Sequence, residues 1–226
     1  MKKILIIGSI ILFLIIIGIW SPWLNWNISL SRIFGLDTKE EASGLQVFSL
    51  VGEIEVYLDN EFLGTTKPED GTPLSYLEIK PGVHTIQLFR QSDPQGSYYL
   101  LSRDIVFEDG LEVIISYELG PTQEFSEGHI FYAEKSFSSR DKALLNTIST
   151  PDKSRLYIDN TFIGETPASS IELSLDKVHT IKLEKEGYDT IEFNILPESQ
   201  EERDKLKGFT LNLEANMFLI PLEIEE

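Results

Sequence analysis

The stretch Tyr57-Leu58-Asp59-Asn60-Glu61-Phe62-Leu63-Gly64-Thr65-Thr66 returns as Tyr157-Ile158-Asp159-Asn160-Thr161-Phe162-Ile163-Gly164-Glu165-Thr166, at a spacing of 157 − 57 = 100 residues. The register begins upstream, at Leu45/Leu145 and Ser49/Ser149. A second shared phrase, Val83-His84-Thr85-Ile86 and Val178-His179-Thr180-Ile181, is spaced 178 − 83 = 95 residues, so the first copy carries 100 − 95 = 5 extra residues, most simply in Lys67–Gly71. A period this long exceeds a solenoid unit and indicates tandem small domains.

Each copy reads as strand, two-residue turn, strand. Tyr57 is flanked by the apolar Val56 and Leu58, Asp59-Asn60 tolerates positive φ, and Phe62-Leu63-Gly64 returns. The glycines Gly64 and Gly164 suit a bulge, and Thr166-Pro167 or Thr72-Pro73 starts an extended connection. Alternating segments follow at Leu77–Ile79, Ile171–Leu175, Val83–Phe89 and Val178–Leu183. Strands that each bury one face predict an all-β chain of two tandem small β-sandwich domains. The alternation of Val56 and Leu58, carried across the turn, places Phe62 and Phe162 in the core and leaves at most the tyrosines at the surface.

The second copy carries, in order, Ser149-Thr150-Pro151, Tyr157-Ile158-Asp159-Asn160, Gly164 with Thr166-Pro167, Val178-His179-Thr180-Ile181 and Gly187-Tyr188. In these residues it is similar to the PEGA domain, a β-rich extracytoplasmic module of prokaryotes. The signature tetrad reads Pro151-Asp152-Lys153-Ser154 here and Leu50-Val51-Gly52-Glu53 in the first copy, which offers Gly96-Ser97-Tyr98-Tyr99 in place of Gly-Tyr. The resemblance implies two tandem PEGA-like domains whose repeat positions (Tyr57, Asp59, Asn60, Gly64 and His84; Tyr157, Asp159, Asn160, Gly164, Pro167, His179, Gly187 and Tyr188) are structural. It also implies envelope work as spacers or as contact units for protein or glycan.

The N-terminus reads as a retained membrane anchor. From Ile4 to Trp20, through Ile7, Ile11, Leu14 and Ile17, the residues are apolar or small except Ser9, with Lys2 and Lys3 before them and Trp20, Trp23 and Trp26 at the far side. At ~1.5 Å per residue the run rises roughly 25 Å, and the interfacial tryptophans extend it toward a ~30 Å hydrocarbon core. The lysines keep the N-terminus in the cytoplasm and put the bulk outside, a single-pass arrangement at the cell membrane. A cleaved signal peptide fits less well, because its apolar region is shorter and ends in a small-x-small site.

The chain carries 19 Lys plus Arg against 37 Asp plus Glu, a net charge of −18, which disfavours nucleic acid as a partner. It has no cysteine, so disulfide and thiol chemistry are excluded. The resulting division is an anchor over 1–26, a stalk over 27–43, a first β domain over 44–121, a linker over 122–143 with a short strand at Ile130–Tyr132, and a second β domain over 144–226. Leu111–Tyr117 is expected to form a hairpin with the preceding Asp104–Phe107, and Phe209–Leu213 to pair with Met217–Ile224. Ser199 and Glu202 have the spacing of a capping box, with Gly208 as a stop.

Chemistry is sparse. Of three histidines, His84 and His179 are repeat positions and read as packing residues, and His129 falls in the linker without a neighbouring ligand set. The segment from Asp59 to Asp70 has Leu63 where a calcium loop needs an oxygen ligand and Asp70 where it needs a bidentate glutamate, so Asp59 and Asp159 read as turn residues satisfying nearby amides. No nucleophile elbow or glycine-rich phosphate loop occurs in the sequence. The expectation is a membrane-anchored, cofactor-free and non-enzymatic protein with an envelope protein as partner, or alternatively a carbohydrate-binding module facing wall or surface-layer glycan.

Overall fold

The computed structural model describes residues 42–92, 96–136 and 142–221. The expected anchor and nearly all of the expected stalk lie outside the described residues. Among the described residues, no helix is long and apolar enough to cross a membrane.

Among the described residues the fold is all-β apart from one short α-helix and a single 3-10 turn at Pro68–Asp70. The first half contributes β1 (Ser43–Phe48), β2 (Glu55–Leu58), β3 (Glu61–Thr65), β4 (Leu74–Ile79), β5 (Gly82–Phe89), β6 (Leu101–Phe107) and β7 (Glu112–Glu118). Then comes β8 (Glu127–Lys135). The second half contributes β9 (Ala143–Thr150), β10 (Arg155–Ile158), β11 (Thr161–Glu165), β12 (Ala168–Leu173), β13 (His179–Glu184), β14 (Ile191–Ile195), α1 (Gln200–Lys205) and β15 (Phe209–Asn216).

The strands form two four-stranded sheets, β3-β2-β5-β6 and β11-β10-β13-β14, and one seven-stranded sheet, β12-β9-β15-β8-β7-β1-β4. The strand order of the halves is therefore the same, with β1–β7 corresponding to β9–β15. The parallel pairs are also matched: β1 with β7, and β9 with β15.

The two halves share a sheet. Segment 122–143, read from the sequence as a linker, supplies β8, which pairs antiparallel with β7 on one side and with β15 on the other. Alternation along β8 then sends successive side chains to opposite faces. Ile130 and Tyr132 join the core of the first half, whereas Phe131 and Ala133 join the core of the second. Consequently, the two small sheets cover opposite faces of the large one, and β8 lies along an approximate two-fold axis between them. The first core is built around Val56, Ile86, Leu88, Ile105 and Ile115, and the second around Leu145, Leu156, Ile181, Leu183 and Leu211, all nearly inaccessible to water.

Three local expectations are corrected. Asp104–Phe107 and Leu111–Tyr117 do not make a hairpin: β6 pairs with β5 in the small sheet, while β7 runs parallel to β1 in the large one. The turn at Glu108–Gly110 moves the chain between layers, because each sheet offers β6 and β7 a different long-range partner. Phe209–Asn216 is a single interior strand, and the described residues after it do not fold back on it: the fully buried Met217 donates its N–H to the Thr150 carbonyl at 2.8 Å, and Leu219 bridges Tyr188. Ser199 occupies the N-cap of α1 but makes no side-chain cap bond. Instead, the buried Arg203 holds this corner, donating to the carbonyls of Leu175 at 3.0 Å, Pro197 at 2.6 Å and Glu198 at 2.7 Å. This gathers charge-assisted bonds that otherwise exposed loop carbonyls would leave to water.

Candidate functional site

The repeated residues build the same device in each half. Asp59 and Asn60 sit at φ 51° and 67°, and Asp159 and Asn160 at 49° and 63°, the backbone of a type I′ hairpin turn whose twist matches the strands it joins. The Asp59 carboxylate turns back onto β5. Oδ1 accepts from the Thr85 N–H at 2.9 Å, and Oδ2 lies 2.6 Å from His84 Nδ1. The other ring nitrogen of His84 faces the Lys80 carbonyl at 2.8 Å. In the second half, Asp159 holds the Thr180 N–H at 3.0 Å and His179 Nδ1 at 2.9 Å, while His179 Nε2 faces the Ser174 carbonyl at 2.9 Å. A carbonyl only accepts, so each Nε2 donates to the carbonyl it faces.

These contacts set the carboxylates apart electrostatically. The hydrogen bond from His84, then that from Thr85, holds the Asp59 carboxyl below the usual range. Asp159 is lowered further, first by the Lys177 ammonium, then by the Thr180 amide and His179. Among the described residues, the lysine contact belongs to the second half alone. Among the described residues, no group of three or more His, Asp or Glu side chains is placed to hold a metal ion.

The remaining repeat positions are distributed around this clamp. Gly64 and Gly164 follow a bulge in the β2–β3 and β10–β11 pairings. Pro167 follows a cis peptide at the entry to β12. Gly187 turns the chain at φ 83°, and Tyr188 packs on the second core and bridges Leu219.

Phe62 and Phe162 are not in the core. They are 53% and 56% exposed, with ring centroids 5.3 Å from Tyr57 and 5.5 Å from Tyr157. Across a two-residue turn Tyr57 pairs with Phe62 and Tyr157 with Phe162, so the phenylalanine takes the outward face of the tyrosine rather than the inward face of Val56. Lys182 adds its ammonium over the Tyr157 ring at 4.6 Å.

A second feature, missed from the sequence, lies where the halves meet. A cleft of about 520 Å³ opens between β14 with α1 on one side and the large sheet on the other. Its walls include Leu111, Ile114, His129, Phe131, Phe193 and Leu196. The imidazole of His129 stacks flat on Phe193, with centroids 3.9 Å apart and planes within 1°. Burial pushes the His129 pKa down to about 4. No local signal marks this cleft in the sequence, because its walls come from β7, β8, β14 and α1, which are brought together only by the shared sheet.

A PEGA domain model matches residues 145–208. The chain thus carries a PEGA domain, a β-rich domain of extracellular type, in its second half. The match runs from β9 through α1 and stops short of β15, the strand that joins this half to β8. A search of curated proteins found no match.

Proposed function

We propose that this chain is a membrane-anchored extracytoplasmic structural and interaction protein. In this reading Ile4–Trp20 anchors it with the N-terminus inside, the first half is a second PEGA-like domain, and the fused pair presents contact surfaces to envelope proteins. The observation that carries the reading is the pair of exposed Tyr–Phe faces, Tyr57–Phe62 and Tyr157–Phe162, which recur at equivalent positions on the two small sheets. Aromatic rings offer large contact area with few rotatable bonds, and solvent-facing rings duplicated on one rigid unit suit a bivalent contact. The matched PEGA domain in the second half supports an extracytoplasmic setting.

The test is crosslinking in intact cells with the full chain and with a Phe62→Ser/Phe162→Ser variant. The reading expects an envelope protein crosslinked to the first and lost from the second; identical crosslinks in both would sink it. A second reading is favoured by the same exposed rings and by Lys182 over Tyr157: stacking on envelope glycan. Titration with wall polysaccharide decides it, since an absence of heat and of tyrosine-fluorescence change removes the glycan reading and leaves the protein contact.

A further inference from the structure

The two-fold relation between the halves makes their junctions directly comparable, and they differ. In the first junction β6 lies against β8. Arg103 on β6 reaches Glu214 on β15 at 3.5 Å, Tyr132 donates to the same carboxylate at 3.4 Å, and only about 70 Å³ of space is left. In the second junction the position of Arg103 is taken by Phe193, since Ile86 pairs with Arg103 as Ile181 pairs with Phe193. The positions of Asn212 and Glu214 are taken by Ile114 and Ser116, because Gln46 and Phe48 pair with the latter as Asn146 and Ile148 pair with the former. A polar, ion-paired seam has thus become an open, apolar trough of about 520 Å³.

This trough is flanked by a sheet edge. β14 is the outermost strand of its sheet, and among the described residues no backbone bond joins its outer side between Ile191 and Leu196 to another segment. At the end of the strand, Leu196 is held at φ 76°, a left-handed conformation that a leucine side chain disfavours, and its side chain lines the trough. Next to β14, the face of the large sheet carrying Ile114 and Phe131 is only partly covered. Stacked sheets sit about 10 Å apart and neighbouring strands about 4.8 Å apart, so a fifth strand placed beside β14 would lie directly over these residues. At the rim, Glu112 and Glu202 outnumber Lys205, on a chain whose net charge is −18.

We propose that this cleft receives an extended segment of a partner protein, with alternating apolar residues and basic flanks, which adds as a strand to the free edge of β14. Backbone bonds to β14 would supply affinity, and every second side chain would enter the trough against Ile114, Phe131 and the His129–Phe193 stack. The acidic rim selects the basic flanks. The inference rests on the interaction reading but uses a different surface from the Tyr–Phe faces, and it is independent of the anchor.

The test uses the full chain in detergent and a fluorescein-labelled peptide, Lys-Thr-Val-Thr-Val-Thr-Lys, with an otherwise identical peptide N-methylated at alternate residues to remove the donors of one edge. Fluorescence anisotropy should show the methylated peptide, in whichever alternate register faces β14, binding at least about tenfold more weakly. Ile114→Glu should weaken the parent peptide by a similar factor, whereas Phe62→Ser/Phe162→Ser should leave it unchanged. Equal binding of methylated and parent peptides, or no binding at millimolar concentration, overturns the proposal, and the methylation arm leaves the chain itself unaltered. Self-association of the peptide-free chain that Ile114→Glu abolishes would assign the groove to a second copy and equally overturn it. Loss of crosslinks in the aromatic variant with failed peptide binding keeps the interaction reading and discards only the groove.

Discussion

Replacing His129 by phenylalanine should change how the stability of this protein depends on pH. In the folded chain, burial against Phe193 lowers the His129 pKa from 6.5 to about 4. The folded state therefore prefers the neutral ring, and the unfolded state binds the proton first. The stability contributed by the neutral ring is fully present above pH 6.5 and is lost as pH falls from 6.5 toward 4. A difference of 6.5 − 4 = 2.5 units corresponds to about 3 kcal/mol in the limit well below both values. At about pH 4.5 most of this, about 2.5 kcal/mol, should already have gone.

Denaturant unfolding of the full chain, followed by far-ultraviolet circular dichroism from about pH 7.5 to about pH 4.5, reads the effect directly. His84 and His179 and all carboxylates are common to both proteins, so the difference between wild type and His129→Phe isolates the single ring. The variant keeps a flat aromatic surface against Phe193 and should lose less stability on acidification. Curves that remain parallel across this range would show that His129 is not shielded from water, and that β14 does not close over β8 as the structure has it.

Ile130, only 2% exposed on the shared strand, should cost about 3 kcal/mol when changed to alanine, and calorimetry should show one transition for residues of both halves. Two separate transitions would mean that β8 does not couple the cores. Gly120→Ala would bring a Cβ to 1.7 Å from the Phe125 carbonyl oxygen, so a loss of about 1–3 kcal/mol is expected in the same denaturant assay. Asp159→Asn should lower the melting temperature more than Asp59→Asn, because only Asp159 also accepts from Lys177, and equal shifts would contradict the clamp. Both carboxyls are depressed in the folded state, so their contribution is present above the unfolded value of 3.8 and fades as pH falls below it. A fragment limited to residues 145–208 lacks β15 and β8, leaves Leu145 and Leu156 without their covering strand, and should give the amide spectrum of an unfolded chain.

Much of the local structure is legible in the residues themselves. Asp-Asn at a two-residue loop demands positive φ whatever surrounds it, and the structure has that conformation at Asp59-Asn60 and Asp159-Asn160. Period-two alternation likewise marks β5 and β13, where Ile86 and Leu88, and Ile181 and Leu183, are buried at alternate positions. The same alternation misplaces Phe62 and Phe162, since parity carried through a two-residue turn exchanges the faces of even- and odd-numbered residues.

What the sequence by itself determined is therefore the repeat, the all-β class and the hairpin turns, because these follow from φ preferences and side-chain alternation within a few residues. Which strand pairs with which across the layers was decided only by the tertiary structure. Backbone hydrogen bonds are chemically the same for every partner, so Leu111–Tyr117 fits a hairpin on β6 or a parallel place beside β1 equally well as a string of letters. The role of β8 is the clearest case: Ile130-Phe131-Tyr132-Ala133 has no polar face to mark it as a surface linker or an edge. Its meaning appears only when one core claims Ile130 and Tyr132 and the other claims Phe131 and Ala133. The cleft beside it exists because two small sheets cover opposite faces of a single large one, a relation between distant strands that no short stretch of residues encodes.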